Sequence, residues 1–315
     1  MILCLIGDLQ DLNLVYIGWV AEKMGFRVIK LSEEKFGLEW NYFFDDKDTW
    51  GGEIRFHNEI IKFSNIKGVY VRFSPEPKCL MDSKISQDEK DVLILERRCA
   101  IQYLLNSFQC VVINKPSAGR SNGSKPFQMS LLSKAGFKVP KWIVTNKLEH
   151  LNNFQKNCPN GVIYKSCSGL RSHVREVDSD IVDLLKTGTS PVIFQEFIMG
   201  SDVRIHTIGE FSFGTEVISD GIDYRFHDGL KKYNVKQLPK ELTLRCKHYA
   251  ESEGLKLAGF DFKVVNESWY CLEVNPVPTF LPYEMQTGQP IAKTIIHSFL
   301  SDRESQENHL KKTFS

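Results

Sequence analysis

The segment from Phe260 to Pro276, FDFKVVNESWYCLEVNP, limits the fold more than any other stretch of the chain. Two strand-like runs, Asp261 to Val265 and Trp269 to Asn275, flank the polar link Asn266-Glu267-Ser268. Such a link suits a tight hairpin. A three-residue loop would pair Val265 with Trp269 and set Asp261 directly opposite Glu273. Cross-strand partners have Cβ atoms about 4.5–5.5 Å apart, and like charges so placed repel unless something bridges them. Asn275, two residues past Glu273, points to the same face. Two carboxylates and an amide oxygen are hard ligands, suited to Mg²⁺ held between protein and phosphates. Pro276 ends the strand. A surface hairpin with incidental acids is the competing reading of the isolated pattern.

At 315 residues the chain is long for one core and suits two or three subdomains. A net charge of +1 gives no footprint for nucleic acid or an acidic membrane surface. The first six residues are apolar, but no charged leader precedes them and Gly7-Asp8 ends the run, so they read as a first strand rather than a signal peptide. No apolar stretch approaches a membrane span. Eight scattered cysteines without a CxxC pair imply reduced thiols in the cytoplasm. Cys4, Cys110 and Cys271 lie in apolar runs and are expected in the core.

Strand–helix–strand order from MILCLIG through Met24-Gly25 to FRVIKL, the strand GVYVRF (68–73), a helix from Asp88 to Phe108 and the strand CVVINKP (110–116) predict a parallel α/β domain over residues 1–116. The helix carries apolar residues at Val92, Leu95, Cys99, Tyr103 and Leu104. Residues 35–62 read as a hairpin or an insertion over the sheet. After the loop SAGRSNGS, a helix from Lys125 to Ala135 is expected to bury Phe127, Leu131 and Ala135, with Ser124 as N-cap and Gly136 at its stop. Strands at 139–145 and 161–166 flank a helix near 147–157. Antiparallel strands follow at 192–198, 202–209 and 211–219, then helices at 240–253 and 291–300. The polar tail 302–315 is expected to fray.

Several residues could carry chemistry, each with an ordinary surface reading beside it. Lys125 sits at a helix N-terminus, which favours an anion, and Gln128 shares its face. Lys165 ends an apolar strand and opens the small-residue loop SCSGLRS, a pattern that can cradle phosphate. Gln195, Glu196, Phe197 and Ile198 close a strand and could hold adenine through backbone groups and apolar packing. Asp202 and Arg204 alternate onto one face, so a ribose acceptor and a phosphate clamp could be neighbours there. Arg225 adds a further guanidinium. His206, His227 and His248 show no ligand spacing and receive no role.

In this order, Lys125 with Gln128, Lys165 before its loop, QEFI, GSDVR, Arg225 and GFDF…LEVNP resemble the ATP-grasp superfamily and its RimK-like ligase branch. The segments KPFQMSLLSKAGFKVPKWIVTN and LEVNPVPTFLPYEMQTGQPIA are most similar to the peptide ligases that macrocyclise microviridin-type precursors. The resemblance covers roughly residues 115 to 300. It implies an α/β ATP-grasp fold with an N-terminal pre-ATP-grasp domain (1–116), a central lobe (117–195) and a C-terminal lobe (196–301). It also implies ATP phosphates on Lys125 and Lys165, adenine at Gln195 to Ile198 and ribose by Asp202. Arg204 and Arg225 would be catalytic, near the γ-phosphate and an acyl phosphate, and Asp261, Glu273 and Asn275 would ligate two Mg²⁺. The loop SCSGLRS is poorer in glycine than in many relatives.

The implied activity is an ATP-dependent carboxylate ligase whose acyl phosphate is captured by an amine or a hydroxyl. A peptide or protein substrate is preferred to free amino acids, and a non-catalytic nucleotide-binding regulator is the alternative from another class. No nucleic-acid or membrane partner is expected, and a homodimer is the base-rate assembly.

Overall fold

The computed structural model describes residues 1–44, 51–78, 85–168, 174–188, 191–219 and 231–300. The predicted Arg225, His227, loop positions 169–172 and the tail 302–315 lie outside them.

The chain opens with β1 (Ile2–Gly7), α1 (Leu12–Lys23) and β2 (Arg27–Ser32). An antiparallel sheet of β3 (Trp40–Phe44), β4 (Gly52–Phe56) and β5 (Glu59–Lys62) fills the stretch that the sequence left open. β6 (Ile66–Arg72), α2 (Gln87–Ser107) and β7 (Val111–Ile113) complete a parallel sheet of order β2-β1-β6-β7. Both faces of that sheet are covered, which explains its nearly continuous apolar strands. One face packs on α2 and the small sheet through Ile101, Leu104, Phe108 and Trp40. α2 turns Val92, Leu95, Cys99 and Tyr103 outward and buries Ile101, Leu104 and Leu105. The other face meets α1 and, from the far end of the chain, Phe280, Tyr283, Ile295 and Phe299. The first and last segments therefore share one core. Cys4 and Cys271 are fully buried, whereas Cys110 is only partly so.

α3 (Lys125–Lys134) precedes a four-stranded sheet of β8 (Trp142–Thr145), β9 (Val162–Lys165), β10 (Arg175–Glu176) and β11 (Val192–Glu196), in the order β10-β9-β11-β8. Its helices α4 (Leu148–Gln155) and α5 (Ser179–Thr187) cover one face, where Phe194, Val162 and Val192 are buried. The next sheet contains β12 (Ser201–Ile208), β13 (Phe211–Ile218), β14 (Lys232–Val235), β15 (Leu257–Val265) and β16 (Ser268–Asn275), with α6 (Lys240–Ser252) before the hairpin. α7 (Leu281–Thr287) and a helix over 291–300 end the described chain. Val203, Ile205, Phe260 and Phe262 form the apolar face of the sheet, together with Leu132 of α3 and Leu242 and Cys246 of α6.

The β15–β16 hairpin departs from its expected turn. Val265 pairs with Ser268, not Trp269, so the loop has two residues, Asn266 and Glu267, both at positive φ. Such a loop matches the right-handed twist of the strands. The register shifts between Phe262↔Cys271 and Asp261↔Glu273, leaving Leu272 as the extra residue of a bulge. Asp261 and Glu273 thus stand opposite, as the sequence implied, but through two offsets that cancel. The bulge has a second effect. In an unbroken strand Glu273 would share the face of Cys271, which is buried in the core; the extra residue turns it to the polar face.

α3 is rotated from its expected orientation. Phe127 and Ala135 are exposed and Leu131 half-buried, while Gln128, Met129 and Leu132 face inward. The cause is polar. Gln128 Nε2 donates to the Val274 carbonyl at 2.8 Å and its Oε1 accepts from the Val274 amide at 3.0 Å. Gln128→Leu would leave two buried backbone groups without partners, at about 1–3 kcal/mol each. Thermal unfolding followed by circular dichroism is expected to show a large loss of stability for Gln128→Leu. Phe127→Ser, at an exposed position, should stay within about 0.5 kcal/mol of wild type.

Candidate active site

Residues two apart on a strand share a face, and antiparallel partners do too. The register of β12, β15 and β16 therefore sets out two polar rows. Arg204, Asp261 and Glu273 lie across the sheet in one, and His206, Gly259 and Asn275 in the next. Arg204 Nε is 3.1 Å from Asp261 Oδ1, and both side chains are almost fully buried. Lys125 Nζ reaches Glu273 Oε2 at 3.0 Å from the first residue of α3. Each acid of the like-charged pair thus has its own cation, from a different element. Asp202 lies one step along β12 and is bound to Lys263 Nζ at 2.8 Å. No sequence signal separated Lys263 from other surface lysines.

A second polar face belongs to the central sheet. Lys165 pairs with Ile193 and Gln195 with Ile163, so these four share the side opposite to the apolar face under α4 and α5. Lys165 and Gln195 are buried. Glu196 ends β11, its amide donating to the Lys141 carbonyl at 2.9 Å, and Phe197 N donates to Gly161 O at 3.0 Å. Ile198 is buried one residue on. The Lys125 amide donates to Cys167 O at 2.9 Å, which ties the start of α3 to the segment just after Lys165.

His206, given no role from the sequence, is wholly buried on the polar face of the C-terminal sheet. Its Nε2 donates to the Thr279 carbonyl at 3.0 Å, and its ring meets Tyr283 edge-on at 4.9 Å. Tyr283 also carries the Arg204 guanidinium 5.9 Å above its ring. Burial, then the neighbouring Arg204 charge, pushes the His206 pKa down to about 3. It is a neutral donor at physiological pH. Gly259 is required where it stands: a Cβ there would lie 2.5 Å from Pro278 Cβ and 2.8 Å from Arg204 Nη1.

No group of three His, Cys, Asp or Glu capable of holding a metal occurs among the described residues. The donor set is two opposed carboxylates and one amide. That is too small for a protein cage, but it fits Mg²⁺, which is commonly held by one or two carboxylates with substrate phosphates completing the shell. Lys125, Lys165 and Arg204 add positive charge to the same polar surroundings.

A family model described as a RimK-like ATP-grasp domain matches residues 123–299, more than half of the chain. No curated protein matches. Among solved structures, the macrocyclase MdnC of Microcystis aeruginosa MRC, bound with its precursor peptide MdnA, is 19% identical with a TM-score of 0.80, covering 95% of this chain and 99% of MdnC. The ATP-grasp ligase PsnB, complexed with a phosphomimetic variant of its minimal precursor, Mg and ADP, is 22% identical with a TM-score of 0.80, covering 95% and 97%. A RiPP-associated ATP-grasp ligase of Chryseobacterium gregarium, in complex with ADP and a leader and core peptide, is 20% identical with a TM-score of 0.79, covering 96% and 97%. At these identities the likeness is one of fold.

The buried His206 has a consequence for stability. Its folded pKa, about 3, lies below the value of about 6.5 usual for an unfolded chain. The unfolded state therefore binds the extra proton as pH falls below that value, and stability is lost progressively towards pH 3. His206→Gln, which keeps a donor for Thr279 O, removes this component. Melting temperatures measured from pH 7.5 to 4.5 are expected to fall more steeply for wild type than for His206→Gln. Parallel curves would show that His206 is not held neutral.

Proposed function

The chain belongs to the RimK-like ATP-grasp family, and from that premise we propose that it is an ATP-dependent carboxylate ligase acting on a peptide. The observation that carries this reading is the Asp261–Glu273 pair, set opposite on one sheet face with Asn275, Arg204 and Lys125 around it. The peptide assignment draws on structures of similar fold: MdnC is bound with a precursor peptide, and PsnB with a minimal precursor, Mg and ADP.

In this reading ATP lies between the polar face of the central sheet and that of the C-terminal sheet. Gln195 to Ile198 hold adenine, Asp202 the ribose, and Lys125 and Lys165 the phosphates. Asp261, Glu273 and Asn275 would hold Mg²⁺, which would offset the negative charge of the nucleotide phosphates. Lys125, which neutralises Glu273 in this structure, is positioned to pass to a phosphate oxygen. Arg204 orients the transferred phosphoryl group, and Arg225 is assigned the same task from the sequence resemblance.

The chemistry then needs little beyond positioning and charge stabilisation. A carboxylate oxygen attacks the γ-phosphorus in line. The bond from that phosphorus to the bridging oxygen breaks, and ADP leaves with the electron pair. An amine or hydroxyl next attacks the acyl carbon, phosphate departs, and one proton is released. The product is an amide or an ester. His206 stays neutral throughout and keeps the Thr279 backbone in place.

ADP release from Mg²⁺ and ATP, measured with acidic peptides or with pooled amino acids, tests the reading when products are weighed. Substrate-dependent ADP and a peptide lighter by one water are expected. Joined free amino acids would instead indicate a small-molecule ligase. Asp261→Asn and Glu273→Gln should each lower turnover by about 10²–10³-fold, the scale of losing one preorganised electrostatic group, with unchanged far-ultraviolet circular dichroism. Full activity in both variants would contradict the metal assignment.

A further inference from the structure

The loop after Asn275 is held largely by a domain to which it does not belong. From Pro276 to Thr279 four consecutive carbonyls point to side chains. Asn114 Nδ2 donates to Pro276 O. Arg72 Nη1 donates to Pro278 O at 3.0 Å and to Val277 O at 3.4 Å. His206 takes Thr279 O. The next two amides, Phe280 N and Leu281 N, donate to Asn13 Oδ1 at 2.9 and 3.0 Å, which caps the start of α7. Asn13 lies on α1, Arg72 ends β6, and Asn114 follows β7. All three are buried polar residues of the N-terminal domain.

These contacts lead to the candidate metal face. Asn275 Oδ1 accepts from Val277 N at 2.8 Å, so the direction of its amide depends on the backbone at 277. Arg72 fixes the carbonyl of that residue and of the next. Arg72 is itself fixed by Asp11 Oδ2 at 2.8 Å, and the same carboxylate caps α1 by accepting from Asn13 N and Leu14 N. Asn114 joins the two sides, its Oδ1 accepting from Lys256 N and Leu257 N at the start of β15 while its amide holds Leu257 O and Pro276 O. Both strands of the hairpin are thereby located against the N-terminal sheet.

We propose that Arg72, Asn13 and Asn114 are positioning residues for metal binding, so that the N-terminal domain sets the orientation of Asn275 on the metal face. The proposal rests on the reading of Asp261, Glu273 and Asn275 as metal ligands. Partners behind a ligand orient it, and their loss typically lowers metal affinity by about 10–100-fold. A contact that served only to dock two domains would lower stability and leave metal affinity alone.

Mn²⁺ binding to the full-length chain with a non-hydrolysable ATP analogue, read from the free-ion signal in electron paramagnetic resonance, distinguishes the two. Arg72→Met and Asn13→Leu are expected to weaken Mn²⁺ binding by about 10-fold or more. Asn13→Asp keeps oxygen acceptors for both α7 amides and should bind as wild type. Wild-type Mn²⁺ affinity in Asn13→Leu and Arg72→Met, with affinity lost in Glu273→Gln, would overturn the positioning role and leave the metal face intact. Undiminished Mn²⁺ binding by Glu273→Gln would overturn the metal face and this proposal with it. Should Arg72→Met not fold, the Asn13 pair decides the question alone.

Discussion

Two carboxylates standing directly opposite on neighbouring strands are the constraint around which the rest of this molecule is arranged. Asp261 and Glu273 repel at that spacing, and the face that carries them is largely buried. Arg204 from β12 and Lys125 from α3 meet the charge. Those two cations bring three elements to one place: the strand before β15 in the sheet, the hairpin partner, and the N-terminus of α3. Gln128 then locks α3 to the hairpin by matching both backbone groups of Val274. Removing one partner of a buried ion pair leaves an uncompensated charge, so the four side chains are energetically coupled.

The loop beyond Asn275 shows the same logic in backbone groups. Pro276 and Pro278 lack amide hydrogens, and the carbonyls between them are turned away from any strand ladder. Buried carbonyls need donors. Here they come from Arg72, Asn114 and His206, two of them from the strands of the N-terminal sheet or their ends. The shared core points the same way, since Phe280, Tyr283 and Phe299 pack with Leu3, Leu5 and Ile17. The N-terminal parallel sheet therefore shares a core with the sheet that bears the acidic pair.

Much of this was legible because local pattern carries it. Alternating strands and helices announced the parallel domain, and the hairpin announced its opposed acids. The failures are instructive. Glu267 takes a positive φ, a conformation glycine or asparagine would have advertised, so the two-residue turn was hidden. The Leu272 bulge has no side-chain signature at all. In α3 apolarity favoured Phe127 over Gln128 as the inward residue, yet the amide won because it satisfies two backbone groups. Asn13, Arg72 and Asn114 were invisible for another reason. Their partners lie 143 to 268 residues away for most of these contacts, and no short-range period reports such a pairing.

Anomalous scattering from Mn²⁺, in crystals grown with a non-hydrolysable ATP analogue, tests the central claim most directly. The account predicts a peak in contact with Asp261, Glu273 and the Asn275 amide oxygen, with the nucleotide phosphates completing its shell. A peak elsewhere, or nucleotide bound with no metal in contact with those three side chains, would contradict it.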